Sequence, residues 1–279
     1  MAGSQKSVSA GFQQLWLGFL DSNGFLLGST PTAPAAGAAG SGMMRVSGAK
    51  TAQITTPERE LVQVSGDDGL IAEFDFDPLT SRGFAVELAI QDLLRDGRLN
   101  GTPVESIAGG LMGYLDILDA AEYDVCMLLQ SRSKKQDAGV VGRKAWSGYY
   151  MPLGTAQPLG RGGFDERGAA TYRLNITPQR ASRNAWGVTM LDDSALDINA
   201  FFRPFSFDYP ITLHRWTANG VLTTFNLDVT PVDTTSLAVY SSVGAVQTVN
   251  SVSVASKTLT LNSAPANNLG LVGMVQYQP

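Results

Sequence analysis

"LIAEFDFDP", residues 70–78, alternates two kinds of side chain: Ala72, Phe74 and Phe76 interleave with Glu73, Asp75 and Asp77. Successive side chains of a strand point to opposite faces, so a strand here gathers the acids on one face and the apolar trio on the other. Three like charges about two residues apart repel mildly in water and severely away from it. Such a stripe serves a metal, an acid/base pair, or a surface that must not stick to something.

The same alternation recurs outward from this stretch and sets the expected class as mainly β. Just before it, "ELVQVSGDDG" places Val62 and Val64 on one face and closes in a turn over 65–69. Just after it, Phe84, Val86, Leu88 and Ile90 alternate with Ala85, Glu87, Ala89 and Gln91. Residues 92–99 then suit a short helix stopped near Gly101, although one helix over 84–96 fits so short a period equally well. "GFQQLWLGFLDSNGFLLG", residues 11–28, reads as two strands joined at Asn23-Gly24, a hairpin turn pair. "EYDVCMLLQ" reads as a buried strand, and further strands fall at 145–151 and 169–177. In the last of these, Ala170, Tyr172, Leu174 and Ile176 alternate with Thr171, Arg173, Asn175 and Thr177. "NSVSVASKTLTLNSAP" makes a hairpin by alternation of Val252 and Val254, then Leu259 and Leu261.

Two loops stand out. "STPTAPAAGAAGSG" fills an uncharged stretch with Pro, Gly and Ala, giving a flexible loop over 28–44 and ruling out a membrane helix there. Lys6, "LWLGFL" and the small residues beyond loosely mimic a secretory signal, but Asp21 directly after the apolar run argues against one. "SRSKKQDAGVVGRK", residues 131–144, is a polar, basic loop extending from a sheet. After "FFRPFSFDYP" the composition changes, and residues 234–279 hold a single charged residue, Lys257. The expected division is a β domain over 1–204 and a small charge-poor β module over 205–279.

The totals exclude several chemistries. At 279 residues the chain has ample length for a real core. Its charged fraction of 16% is low, and a net charge of −5 gives no overall attraction to nucleic acid or an acidic membrane. One cysteine, Cys126, excludes an internal disulfide framework and a Cys-rich zinc site; its apolar setting marks it as a core residue. One histidine, His214, excludes multi-His metal sites, and in the strand-like "ITLHRW" it reads as a structural histidine rather than a triad base. Nucleophile elbows, phosphate loops and dinucleotide fingerprints are absent from the sequence. A straight strand offers calcium a flat row rather than a cage, so the acidic stripe suits a metal poorly. No catalytic residue, cofactor or metal is expected.

Charge placement is more informative. Residues 57–124 carry fifteen acids and four bases, whereas 132–183 carry ten bases and three acids. Opposite patches on one chain either neutralise each other internally or join copies head to tail, closing into rings or propagating as filaments. Arg132, Lys134, Lys135, Arg143 and Lys144, with Trp146 and Tyr149 nearby, leave nucleic-acid contact as a minority option.

Several stretches together resemble the tail tube (major tail) proteins of long-tailed bacteriophages. They are "VQVSGDDGLIAEFDFDP", "LNGTPVESIAG", "LLQSRSKKQDAGVVGRKAW" and "PLGTAQPLGRGGFDERGAATYRLNITPQRA". The likeness covers about residues 45–190, and the ending resembles small β modules of phage structural proteins. It implies a β-barrel or sandwich with one or two short helices and long loops, six copies closing into a ring, and rings stacking into a tube. It also implies assembly in the host cytoplasm and residence in the virion. The implied partners are tape-measure, tail-terminator and baseplate proteins, with viral DNA passing through the lumen without specific binding and no membrane involved. Glu73, Asp75 and Asp77 would then face the lumen and repel phosphate. Arg132, Lys134, Lys135, Arg143 and Lys144 would stack one ring on the next. The rival expectation is a carbohydrate-binding module in which Trp216, Tyr240 and Tyr277 stack on sugar rings.

Overall fold

The computed structural model describes residues 14–47, 49–55, 60–66, 69–76, 83–88, 92–102, 104–107, 109–114, 123–132, 144–162, 171–188, 203–233 and 237–279. Their strands pair antiparallel throughout, and one helix, Leu93–Leu99, accompanies them. The largest sheet runs through Leu26–Gly28, Gln14–Leu20, Asp124–Arg132, Trp146–Gly162, Thr171–Pro178, Gly83–Leu88 and Ala49–Thr55. Met44–Arg45 joins it beside Gln14–Leu20, and Arg203–Phe207 beside Trp146–Gly162. A second sheet runs through Val246–Gln247, Leu237–Ser241, Gly270–Gln276, Ile211–Thr217 and Ser41–Gly42. A third holds Thr224–Asn226, Thr258–Leu261 and Val249–Ser253. Two further hairpins, Glu60–Gly66 with Gly69–Phe76 and Val104–Ile107 with Gly110–Tyr114, form two-stranded sheets of their own. The chain is mainly β, as the alternation implied; the sheets are open and layered and do not close into a barrel.

The local readings explain where strands begin and turn. Asn23-Gly24 does turn the chain: the Asp21 carboxylate accepts the Asn23 and Phe25 amides at 2.8 and 2.9 Å, and Gly24 takes φ 75° at no steric cost. Over 83–101 the strand-then-helix alternative is the one formed. Asp92 caps the helix by accepting the Arg95 amide at 3.1 Å, and Gly101 at φ 67° follows its end. Along Thr171–Pro178, Leu174 and Ile176 are buried while Arg173, Asn175 and Thr177 are exposed. The late hairpin forms too, with Val252 opposite Leu259, but Val254 lies beyond its strand and is exposed.

Gln14–Leu20 and the core of Asp124–Arg132 do not alternate, because both faces are covered. Leu15, Leu17 and Phe19 join Val125, Met127 and Leu129 in a first core with Val86, Leu88, Leu174 and Ile176. Trp16 and Leu20 join Cys126 and Leu128 in a second core, against Ile211, Leu213 and Val272 of the second sheet and Tyr277 just beyond it. Gly18 fits this layer because a Cβ there would meet Leu26 Cδ1 at 2.5 Å and Cys126 Sγ at 3.2 Å. A third core, around Trp216, Phe225, Leu259, Leu261 and Leu271, lies between the second and third sheets.

A polar seam crosses the second core. Gln14 and Gln130 stand opposite each other in adjacent strands, both buried. The Gln130 amide takes both backbone groups of Ile211, donating to its carbonyl and accepting its N–H, each at 2.7 Å. Gln14 accepts a hydrogen bond from the Tyr277 hydroxyl. Two neighbouring amides thus hold Ile211, at the start of one strand of the second sheet, and Tyr277, just past the end of the strand beside it, against the first sheet.

Two outcomes follow from this packing. Gln130→Ala strands a buried N–H and a buried carbonyl, and should cost roughly 2 kcal/mol or more in denaturant titrations. Ending the chain at Phe205 uncovers Trp16, Leu26, Cys126 and Leu128, mostly apolar surface whose burial contributes about 1.5–3 kcal/mol for a large side chain such as Leu26. That truncation should be recovered in inclusion bodies or aggregates by size-exclusion chromatography, not as a soluble fold.

Candidate functional site

The acidic stripe lies on a hairpin. Glu60–Gly66 pairs with Gly69–Phe76 and places Glu73 opposite Gln63, Asp75 opposite Leu61, and Phe74 opposite Val62. By register, positions 61, 63, 73 and 75 share one face of this ladder, and positions 62, 64, 72 and 74 the other. Asp77 lies outside the described residues. From 58 to 77 the chain carries seven acids and one base.

The basic loop tips another hairpin. Asp124–Arg132 pairs with Trp146–Gly162, with Arg132 opposite Trp146 as the last pair of the ladder before the loop. Arg132 and Lys144 are exposed at the two roots, and Lys144 donates to Asp208 Oδ2 at 2.6 Å. That pair is open to solvent on both sides and contributes little to stability. Lys134, Lys135 and Arg143 lie outside the described residues. Among the aromatic neighbours, Trp146 is buried and Tyr149 is exposed, leaving one ring rather than two for stacking.

The two charge blocks also meet inside the subunit. Glu87, from the acidic block, stands opposite Arg173, from the basic block, across adjacent strands of the first sheet. That register sets an acid of one block beside a base of the other within a single subunit.

Trp216 and Tyr277 are core residues, which corrects the expectation that they stack on a sugar. Trp216 is sealed in the third core, donates through Nε1 to the Asn226 carbonyl at 2.8 Å, and has the His214 ring stacked on it at 5.0 Å. Tyr277 is buried edge-on against Trp16. Tyr240 is half-buried beside Trp186, their centroids 6.4 Å apart. Periodicity could not find this, because a strand buried on both faces uses its aromatics internally.

His214 is buried too, and its partner was not foreseen. Its Nε2 sits 2.9 Å from Asp228 Oδ2 and 2.9 Å from the Asp228 backbone nitrogen. The residues around it include Gly42, from the stretch expected to be a flexible loop. Residues 41–42 form a short strand on Ile211–Thr217, Met43 donates to the Leu213 carbonyl at 3.0 Å, and Gly37 donates to the Thr217 carbonyl at 2.9 Å. The stretch lies along the second sheet as a strap.

Cys126 is fully buried, and loss of solvation pushes its thiol up to about 12. A thiolate is the reactive form. The native protein should therefore resist a thiol reagent at about pH 8 and react fully only once unfolded, which a colorimetric thiol titration with and without denaturant reads directly. No known protein-family profile matches the chain, and no curated protein sequence matches it significantly.

Proposed function

We propose that the chain is a structural subunit that assembles with copies of itself into stacked, six-membered rings forming the tube of a phage tail, with an acidic lumen for DNA. The observation that carries this reading is the presence of two oppositely charged hairpins on one subunit. The acidic one, Glu60–Gly66 with Gly69–Phe76, is a two-stranded ladder outside the larger sheets. An isolated two-stranded ladder is marginal in water and gains stability from a surface to lie on. The other hairpin carries five bases and one acid in its loop over 131–144. Copies placed head to tail bring the basic loop of one to the acidic hairpin of the next, a heterologous contact that propagates.

The acids then do in the tube what they do to any polyanion. A wall of carboxylates repels phosphate, whereas a basic wall would bind DNA through counterion release. Glu73, Asp75 and Asp77 are the residues assigned to that wall. Arg132, Lys134, Lys135, Arg143 and Lys144 are assigned to the contact between rings. The reading needs no catalytic group and no cofactor, and its remaining partners are the proteins that end and fill a tail.

Negative-stain images of the purified protein should show rings or tubes. Reversing Arg132, Lys134 and Lys135 to Glu should shorten or abolish the tubes while moving the unfolding midpoint little, since exposed loop charges each contribute less than about 1 kcal/mol. Discrete single particles at every concentration would end the tube reading. Full-length tubes from the triple variant at low salt would take the stacking role away from this loop.

A further inference from the structure

We propose that His214 and Asp228 form a proton-operated latch that fastens the strap of residues 29–42 onto the second sheet. Asp228 Oδ2 accepts the Gly42 amide at 3.0 Å and stands 2.9 Å from His214 Nε2. The same nitrogen lies 2.9 Å from the Asp228 backbone N–H. These two neighbours make opposite demands. The N–H needs a lone pair on Nε2, and the carboxylate needs a proton there. One nitrogen serves only one of them at a time.

The two protonation states therefore hold residue 228 differently. With Nε2 unprotonated, the ring accepts the backbone N–H, and its lone pair faces the carboxylate. Its Nδ1 is buried without a hydrogen-bond partner. When Nε2 gains a proton from solvent, the ring donates to Oδ2 instead, and the carboxylate bridges a cationic imidazole and the Gly42 amide. Charge-assisted bonds of this type are about twice as strong as neutral ones. Protonation of His214 thus tightens the strap.

Opposite His214 in the next strand is Gly273, and opposite it on the strap side is Gly42, neither of which titrates. Arg215 lies on the other face of the strand, over the Phe25 ring. Among the described residues, Lys257, in the turn before Thr258–Leu261, also acts on Asp228. The His214 hydrogen bond first, then the imidazole's charge, the Gly42 amide and Lys257, outweigh burial and hold the Asp228 carboxyl below its ordinary 3.8. Its folded value being depressed, its share of the latch is fully present above about pH 3.8 and is lost as pH falls through the lower folded value. Gly42 is matched to the site: a Cβ there would meet Asp228 Oδ2 at 2.9 Å and the His214 ring at 3.1 Å.

Because His214 is the only histidine, its ring nitrogens give unambiguous NMR signals. The experiment follows them from about pH 8 to pH 4 alongside exchange of the Gly42 amide, corrected for the intrinsic pH dependence of exchange. Gly42 protection should rise about tenfold as the ring protonates. Asp228→Asn should fold, since that side chain is 65% exposed, and should make Gly42 protection independent of the ring's titration. Gly42 protection that stays flat while the ring titrates would overturn the latch. So would a ring that stays neutral down to about pH 4, or a pH response that survives in Asp228→Asn.

Discussion

Burial of the Gln14–Leu20 and Asp124–Arg132 strands on both faces is the constraint from which the remaining architecture follows. A strand covered on one side allows the other side to be wet, and half of its residues stay polar. Here the inward face meets the curl of its own sheet through Val86, Leu88, Leu174 and Ile176. The outward face meets Ile211, Leu213 and Val272. The second sheet is therefore the cover without which the first sheet's central strands face water. The second sheet repeats the situation, since Trp216, Leu271 and Val275 turn to the third.

Polar groups set how these layers lock. Apolar surfaces slide at little cost, but a buried amide with one geometry of satisfaction does not. Gln130 gripping the Ile211 backbone and Gln14 receiving the Tyr277 hydroxyl specify where the second sheet sits on the first. The strap over 29–42 applies the same logic at an edge. Pairing residues 41–42 with the Ile211–Thr217 strand occupies backbone groups that an open sheet edge would present to other chains. In the proposed assembly this separates edges that are covered within the subunit from the charged hairpins left for contact between subunits.

Much of the local structure was legible in residue order alone. The alternation in "LIAEFDFDP" gave a strand, and Asn23-Gly24 gave a turn. Residues 92–99, stopped near Gly101, suited a short helix, although one helix over 84–96 suited the pattern as well. All of these depend on neighbours within a few residues, where sterics and side-chain spacing act directly on the backbone. Charge segregation was equally plain, because it is a property of composition along the chain.

The sequence by itself thus determined that this is a mainly β chain, where about half of its strands lie, and that its acids and bases are sorted into separate blocks. Tertiary structure alone decided the order of strands in the sheets, the layering in place of a closed barrel, and the sealing of Trp216 and Tyr277 in cores. It also decided that a Pro/Ala/Gly stretch lies fastened to a sheet, and that the single histidine meets Asp228. The physical reason is separation. Gly42 and Asp228 stand 186 residues apart, and Gln14 and Tyr277 stand 263 apart. No periodicity spans such distances, and the contacts exist only because burying both faces of two central strands brings those segments together.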